Sequence, residues 1–227
     1  MRLLNLILGD IKFQLKYGFY FIYFTLTIVY IGLIFAIPYS FRTTTATILI
    51  FSDPAAMGIF FMGAIILLEK SQHVLNSIAV SPVKAEEYIL SKVLSLGLIS
   101  TLVGLLIALA SKTINILPVL LGTFLGSALF TLLGLIIAAK TNSLNQFIIA
   151  TVPFELVCFL PPLLYLLGYN KNFMLIHPGC ILIRFIRGDS SHMLVLIFIL
   201  CLWLVLIYTM TYRAIKKMFQ SVGGVQL

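Results

Sequence analysis

An all-α membrane protein with six transmembrane helices is the fold that this sequence predicts, and three observations predict it. The 227 residues are 61% hydrophobic and 10% charged, with a mean hydropathy of +1.14, whereas water-soluble domains carry about a quarter charged residues. Windows of about twenty residues, enough to cross a ~30 Å hydrocarbon core at ~1.5 Å per residue, find six apolar runs. They are Phe19–Pro38, Thr47–Leu68, Ile89–Ser111, Ile116–Ala139, Gln146–Leu167 and Met193–Tyr212. Alternating segments of about ten residues, the mark of a membrane β-barrel, do not occur. So little chain remains between the runs that a single membrane domain over residues 1–227 is expected, with no soluble one.

The net charge of +8 invites a nucleic-acid partner, but the placement of the cations gives another explanation. With the N-terminus in the cytoplasm, the inside holds Arg2, Lys12, Lys16, Lys70, Lys84, Lys92, Lys140, Arg213, Lys216 and Lys217. The outside holds Arg42, Lys112, Lys171, Arg184 and Arg187. Ten cations against five is the positive-inside bias. Both termini are therefore expected in the cytoplasm, in a multi-pass protein of the cell (inner) membrane with no nucleic-acid partner. Cys158, Cys180 and Cys201 form no disulfide framework, and with His73, His177 and His192 they give no metal-ligand spacing.

The elements follow in order. Residues 1–18 place Leu4, Leu8, Ile11 and Leu15 on one helical face and Asn5, Lys12 and Lys16 opposite, which suits a helix lying in the membrane interface. Asp10 and Lys12 interrupt the apolar run, and no small-residue cleavage site follows, so a signal peptide is not expected. In the second run, "FSDPAAMG" sets Asp53 before Pro54. Two roles fit Asp53: capping a helix that starts at Pro54, or exposure to a transport pathway.

Residues 69–88 form a polar elbow between two apolar runs. Val74, Leu75 and Ile78 fall at helical spacing, with Gln72, His73, Asn76 and Ser77 around the other side, which predicts a short amphipathic surface helix. Ser81 and Pro82 are expected to start the next helix as cap and first turn, with Glu86 and Glu87 near its positive end. The third and fourth runs are rich in glycine, and Gly122 and Gly126 have the four-residue spacing that lets helix backbones approach closely.

The fifth run contains "VPFELVCFLPP". The Pro161-Pro162 pair is expected to interrupt the helix. Glu155 sits near its middle, where a carboxylate costs about 2.5–3.5 kcal/mol on insertion scales and must face protein or water. Three roles are open to it: hydrogen bonding within the bundle, bonding backbone groups that the prolines leave free, or lining the pathway for a cationic or zwitterionic substrate. Residues 168–192 are too apolar for a free loop and too interrupted to span, so an outer re-entrant segment is expected. The sixth run then returns the chain to the first side.

This order of elements resembles type 2 ABC transporter permeases. The most specific stretch is "FSDPAAMGIFFMGAIILLEKSQHVLNSIAVSPVKAEEYILSKVLSL", residues 51–96. In it Glu69 stands where that family ends its second span with an acid, and Ser81-Pro82 precedes an "EYxxxK" match from Glu87 and Tyr88 to Lys92. With "PFELVCFLPP", the chain is most similar to the fluoroquinolone-export permease subgroup over essentially its whole length.

The resemblance implies a permease subunit, not an enzyme, which forms the pathway of a multidrug efflux exporter for a drug-like or other amphipathic substrate. A separate ABC ATPase would bind ATP and Mg, with no cofactor in this chain. The sequence agrees in holding no G-x-x-x-x-G-K-[ST] phosphate loop. By the same resemblance residues 70–82 are the coupling helix, and contact with the ATPase falls on Glu69, Lys70, His73, Val74, Leu75, Asn76, Ile78 and Pro82. Two permease copies, identical or sister, are implied in the lipid bilayer with two ATPases. Permeases of antimicrobial-peptide immunity, lipid or ion exporters share this architecture and remain alternatives. An intramembrane protease fits less well, because no G-x-S-G occurs and Ser91 stands where an arginine should follow Glu86-Glu87.

Overall fold

The computed structural model describes residues 2–79, 81–112, 115–169 and 171–222, so Val80 of the elbow lies outside the described residues. Among those described, every regular element is a helix. They are α1 (Arg2–Lys16), α2 (Phe19–Ala36), α3 (Tyr39–Ile50), a π-helical turn (Phe51–Ala55), α4 (Gly58–Ser71), α5 (Val74–Ala79), α6 (Ala85–Ala110), α7 (Ile116–Lys140), α8 (Leu144–Leu166), a 3-10 turn (Asn172–Ile176), α9 (Pro178–Ile186) and α10 (Met193–Val222). Six helical runs are long and apolar enough to cross a membrane. Successive crossings put α1, the elbow and the end of α10 at one face of the bundle, and α9 with its flanking loops at the other.

α7 is the axis of the bundle, packed against α4, α6, α9 and α10. In its apolar window 78% of residues are buried, against 17% for α8 and for α10. Those peripheral helices and α2 expose Phe21, Phe24, Leu156, Leu160, Leu194 and Phe198, side chains suited to lipid. The axis depends on small residues. A Cβ at Gly134 would lie 2.7 Å from the Ile59 carbonyl oxygen and 3.0 Å from the Ile59 Cα, so the backbone of α4 rests directly on α7. Gly122 and Gly126 use their spacing against α9 and the π turn, where added Cβ atoms would meet Phe185 at 2.8 Å and Ala55 at 3.0 Å.

Three sequence expectations fail for identifiable reasons. No helix starts at Asp53-Pro54; a single 33-residue run winds from Tyr39 to Ser71, with one turn at Ala56 and Met57 between the π turn and α4. Proline lacks an N–H, and the widened turn at Phe51–Ala55 absorbs it, the ladder resuming with Met57 N–H on the Asp53 carbonyl at 2.8 Å. Asp53 thus has no free helix end to cap.

The Pro161-Pro162 pair does not break α8 either, which runs through Pro153, Pro161 and Pro162 to Leu166. Pro161 frees the carbonyl four residues back, that of Val157, and the imidazole of His177 lies beside it. The ring nitrogen Nδ1 accepts from the Gly179 N–H at 3.2 Å. Burial pushes this imidazole below the usual histidine range, against the pull of the Val157 carbonyl, and the neutral ring can accept on one side and donate on the other. Pro162 frees the Cys158 carbonyl, and a Cβ at Gly179 would lie 2.9 Å from that oxygen. The start of α9 therefore seals the proline-exposed backbone of α8.

Ser81 is not the cap of α6, and Pro82 is not in its first turn. The helix begins at Ala85, where Glu87 accepts from the Lys84 N–H at 3.0 Å. Ser81 donates instead to the Ile78 carbonyl at 2.7 Å, closing α5. The residue before a proline avoids helical geometry, and the extended Lys84 backbone leaves Glu87 in position to close the first turn.

At the far face, eight of the nine α9 residues are buried. Trp203 Nε1 donates to the Ile176 carbonyl at 3.0 Å, tying α10 to the 3-10 turn. Arg184 pairs with Asp189 at 2.7 Å. Partial burial disfavours that carboxylate, but donors from Ser191 and Arg184 outweigh it and hold it below the usual carboxylate range.

The glycine contact yields a test. Gly134→Ala is expected to lower the stability of the detergent-purified chain by about 1–3 kcal/mol, because the α4 backbone cannot step aside. Gly32→Ala, with open space around it, is expected to leave thermal unfolding unchanged. Equal melting of the two variants would contradict the packing described.

Candidate functional site

The elbow joins two helices, α4 and α6, that are tied to each other by a knot of charge. α4 ends at Ser71, and His73 turns the chain with φ +56°, in the left-handed region that histidine enters more readily than most residues. α5 follows with Leu75 1% exposed, Val74 and Ile78 half-buried, and Gln72, His73, Asn76 and Ser77 exposed. Its apolar edge thus faces the bundle, packed on α4 and α10, and a polar edge faces away. Gln72 Nε2 donates to the Tyr17 hydroxyl at 2.5 Å, and Arg2 donates to the Pro82 carbonyl at 3.4 Å. Both ends of the elbow are therefore fastened to the N-terminal segment.

At the end of α4 that leads into the elbow, Glu69 is 3% exposed, and Lys92 of α6 is 1% exposed. The Lys92 ammonium contacts Glu69 Oε1 and lies 2.6 Å from Asp10 Oδ1 of α1. Tyr88 donates to Glu69 Oε2 at 2.5 Å, and its ring lies under the Lys92 ammonium, 5.1 Å from nitrogen to centroid. One turn along, Gln14 Nε2 donates to Ser95 Oγ at 3.0 Å. Three helices are thus joined by two carboxylates on one ammonium, with Asp10 Oδ2 and Gln14 Oε1 left unpaired.

Lys70 points elsewhere. Its ammonium donates to the carbonyls of Ala138 at 2.8 Å and Thr141 at 2.6 Å, capping the C-terminal end of α7 where the helix dipole favours a cation. Of the residues singled out in the elbow, Glu69, Lys70 and Leu75 therefore face inward, whereas His73 and Asn76 face out. Asp10, Gln14, Tyr88 and Lys92 are the members that sequence reasoning did not assign to the site. A signal was present: Glu69 and Lys92 lie just inside facing ends of the two spans that the elbow joins.

The two intramembrane acids lie apart from this knot. Asp53 is 2% exposed; no hydrogen bond of ordinary geometry reaches its oxygens, and Tyr30 of α2 is its polar neighbour. Nearby, Tyr23 shares a hydrogen bond with Ser100, to which Ser127 donates at 3.1 Å. Glu155 is half-buried on α8, with Oε1 enclosed and without a hydrogen bond. It lines a groove of about 460 Å³ between α8 and the α3–π-turn segment. Among the described residues no three of His, Cys, Asp and Glu converge as metal ligands.

The knot predicts a mutational cycle. Lys92→Met leaves the buried Glu69 and the part-buried Asp10 without a cation and is expected to cost about 3–5 kcal/mol, read as lost thermal stability in detergent. Adding Glu69→Gln and Asp10→Asn is expected to restore most of it. A single variant as stable as wild type, or a triple variant no better than the single, would refute the coupling of these groups.

Over residues 1–215 the sequence matches the profile of the fluoroquinolones export permease protein family. Two curated proteins named fluoroquinolones export permease protein, from Mycobacterium tuberculosis strains CDC 1551 / Oshkosh and ATCC 25618 / H37Rv, are each 24% identical to it over 147 residues. The similarity covers 64% of this chain, which spans 62% of the length of each of these relatives.

Proposed function

The chain belongs to the fluoroquinolones export permease protein family, and on that premise we propose that it is the membrane subunit of an ATP-driven exporter of drug-like, amphipathic molecules. A separate ABC ATPase binds ATP and Mg and supplies the work. The permease acts in the cell membrane with both termini in the cytoplasm, paired with a second permease copy or a sister chain. The relatives' names carry the export of fluoroquinolones, and this chain takes substrates of related amphipathic character.

The observation that carries this reading is the seating of α5. A connector needs no buried side chain, yet Leu75 is 1% exposed, and the helix ends are fastened to Tyr17 and, through Pro82, to Arg2. Its polar edge, with His73 and Asn76, is left for a partner. A load applied to that edge passes to α4 and α6 together, because Glu69 and Lys92 hold those helices to each other. Lys70 passes the same load to α7 through its C-terminal carbonyls. Nucleotide-driven motion of the ATPase thus moves three spans as one body.

Two tests follow. Burial of a leucine-sized side chain is worth about 1.5–3 kcal/mol, so a Val74→Ala, Leu75→Ala, Ile78→Ala variant is expected to insert normally but to lose copurification with the ATPase and coupled transport. Unchanged copurification and transport would reduce residues 70–82 to a connector.

Orientation is tested on a cysteine-free background in intact cells. A membrane-impermeant thiol reagent is expected to label Lys171→Cys and to miss Ser221→Cys. The reverse pattern would place the elbow outside the cell and end the coupling proposal.

A further inference from the structure

We propose that the groove between α8 and the α3–π-turn segment is a binding site for aromatic organic cations that enter sideways from the bilayer, with Glu155 as their counter-ion. The inference rests on the export reading above, of which it names the substrate class.

The groove has the size and the chemistry for that class. Its volume of about 460 Å³ is within the roughly 300–1,000 Å³ range of small-molecule sites. Phe51, Phe60 and Phe159 line it with leucines, and Ser52 and Glu155 are among its few polar members. The rings of Phe51 and Phe159 meet edge-on at 5.4 Å between centroids, forming an aromatic wall between the π turn and α8. Aromatic faces attract cations, more strongly where water is excluded.

The carboxylate is the discriminating group. Glu155 Oε1 is enclosed and makes no hydrogen bond. His177 lies beside the carbonyl that Pro161 frees, and no hydrogen bond ties Glu155 Oε1 to the backbone that the prolines expose. An acyl chain would fill the volume and leave the carboxylate unanswered. An aromatic body bearing an ammonium or phosphonium answers both the rings and the charge. The wall opposite Glu155 is formed at Phe51 and Ser52, the start of the π-helical turn, an irregularity that often marks functional positions in helices.

The test uses the full chain in phospholipid nanodiscs, with radiolabelled tetraphenylphosphonium as cation and triphenylphosphine oxide as its uncharged counterpart. Wild type is expected to bind the cation saturably, and Glu155→Gln to weaken it about tenfold or more, the range for losing a partner to a charged group. Binding of the neutral probe is expected to change less than about twofold, since the apolar walls are intact. Leu156→Trp, which fills the groove from its lining and keeps the carboxylate, is expected to abolish binding of both probes; it remains decisive if Glu155 variants fold poorly.

Wild-type cation affinity in either variant overturns the proposal. So does equal, weak binding of both probes to wild type and Glu155→Gln, which would mean that lipid fills the groove. Disulfide formation between copies carrying Leu156→Cys on a cysteine-free background would mean that a second chain covers it, and would overturn it too. Binding is read without an ATPase. Its failure therefore strikes this proposal alone, whereas failure to copurify with an ATPase strikes the export reading.

Discussion

A lysine ammonium sealed from water near the elbow's helices sets the terms for the assembly of α1, α4 and α6. Removing a single charge from water costs several kcal/mol even after relaxation, and Lys92 avoids standing bare only because Asp10 and Glu69 both reach it. Glu69 in turn takes the Tyr88 hydroxyl. No member is satisfied unless the others are in place. Sliding α4 against α6 by one turn would strand a charge on each side, so this end of the bundle has one register.

The same demand for partners governs the backbone. A bilayer offers nothing to a carbonyl that a proline has freed, yet α8 carries three prolines and stays helical. A histidine at the start of α9 stands beside the freed Val157 carbonyl, and the adjoining surface is closed by a glycine. At Pro54 the solution is internal, since a wider turn takes up the missing donor. The far loop and the π turn thus let proline-containing segments stay at membrane depth.

What the sequence made legible follows from the range of each interaction. Six spans were visible because hydropathy accumulates over about twenty consecutive residues. The amphipathic elbow was visible because Val74, Leu75 and Ile78 repeat within one short helix, and Leu75 is indeed its buried member. The proline errors arose where the answer lay outside the local window: nothing near Pro161 announces that His177 will return to it. Ser81-Pro82 looked like a helix start because such pairs commonly are, and only the Glu87 contact shows that the start lies three residues on. Asp10 looked like a mere interruption of an apolar run. Its role exists only once α1 folds back against α6, a contact across 82 positions.

The ion pair near the elbow also has a history in time. Glu69 emerges from the ribosome before Lys92, which follows it by 23 positions. At synthesis rates of about 5–20 residues per second, that separation is roughly one to five seconds. For that interval the second span and the amino-terminal helix present acids whose cation does not yet exist. Nascent chains therefore pass through a state that the finished bundle never revisits, in which Glu69 must stay near water or in the care of the insertion machinery. Slow codons between these two positions would prolong that exposure without altering a single residue of the mature protein.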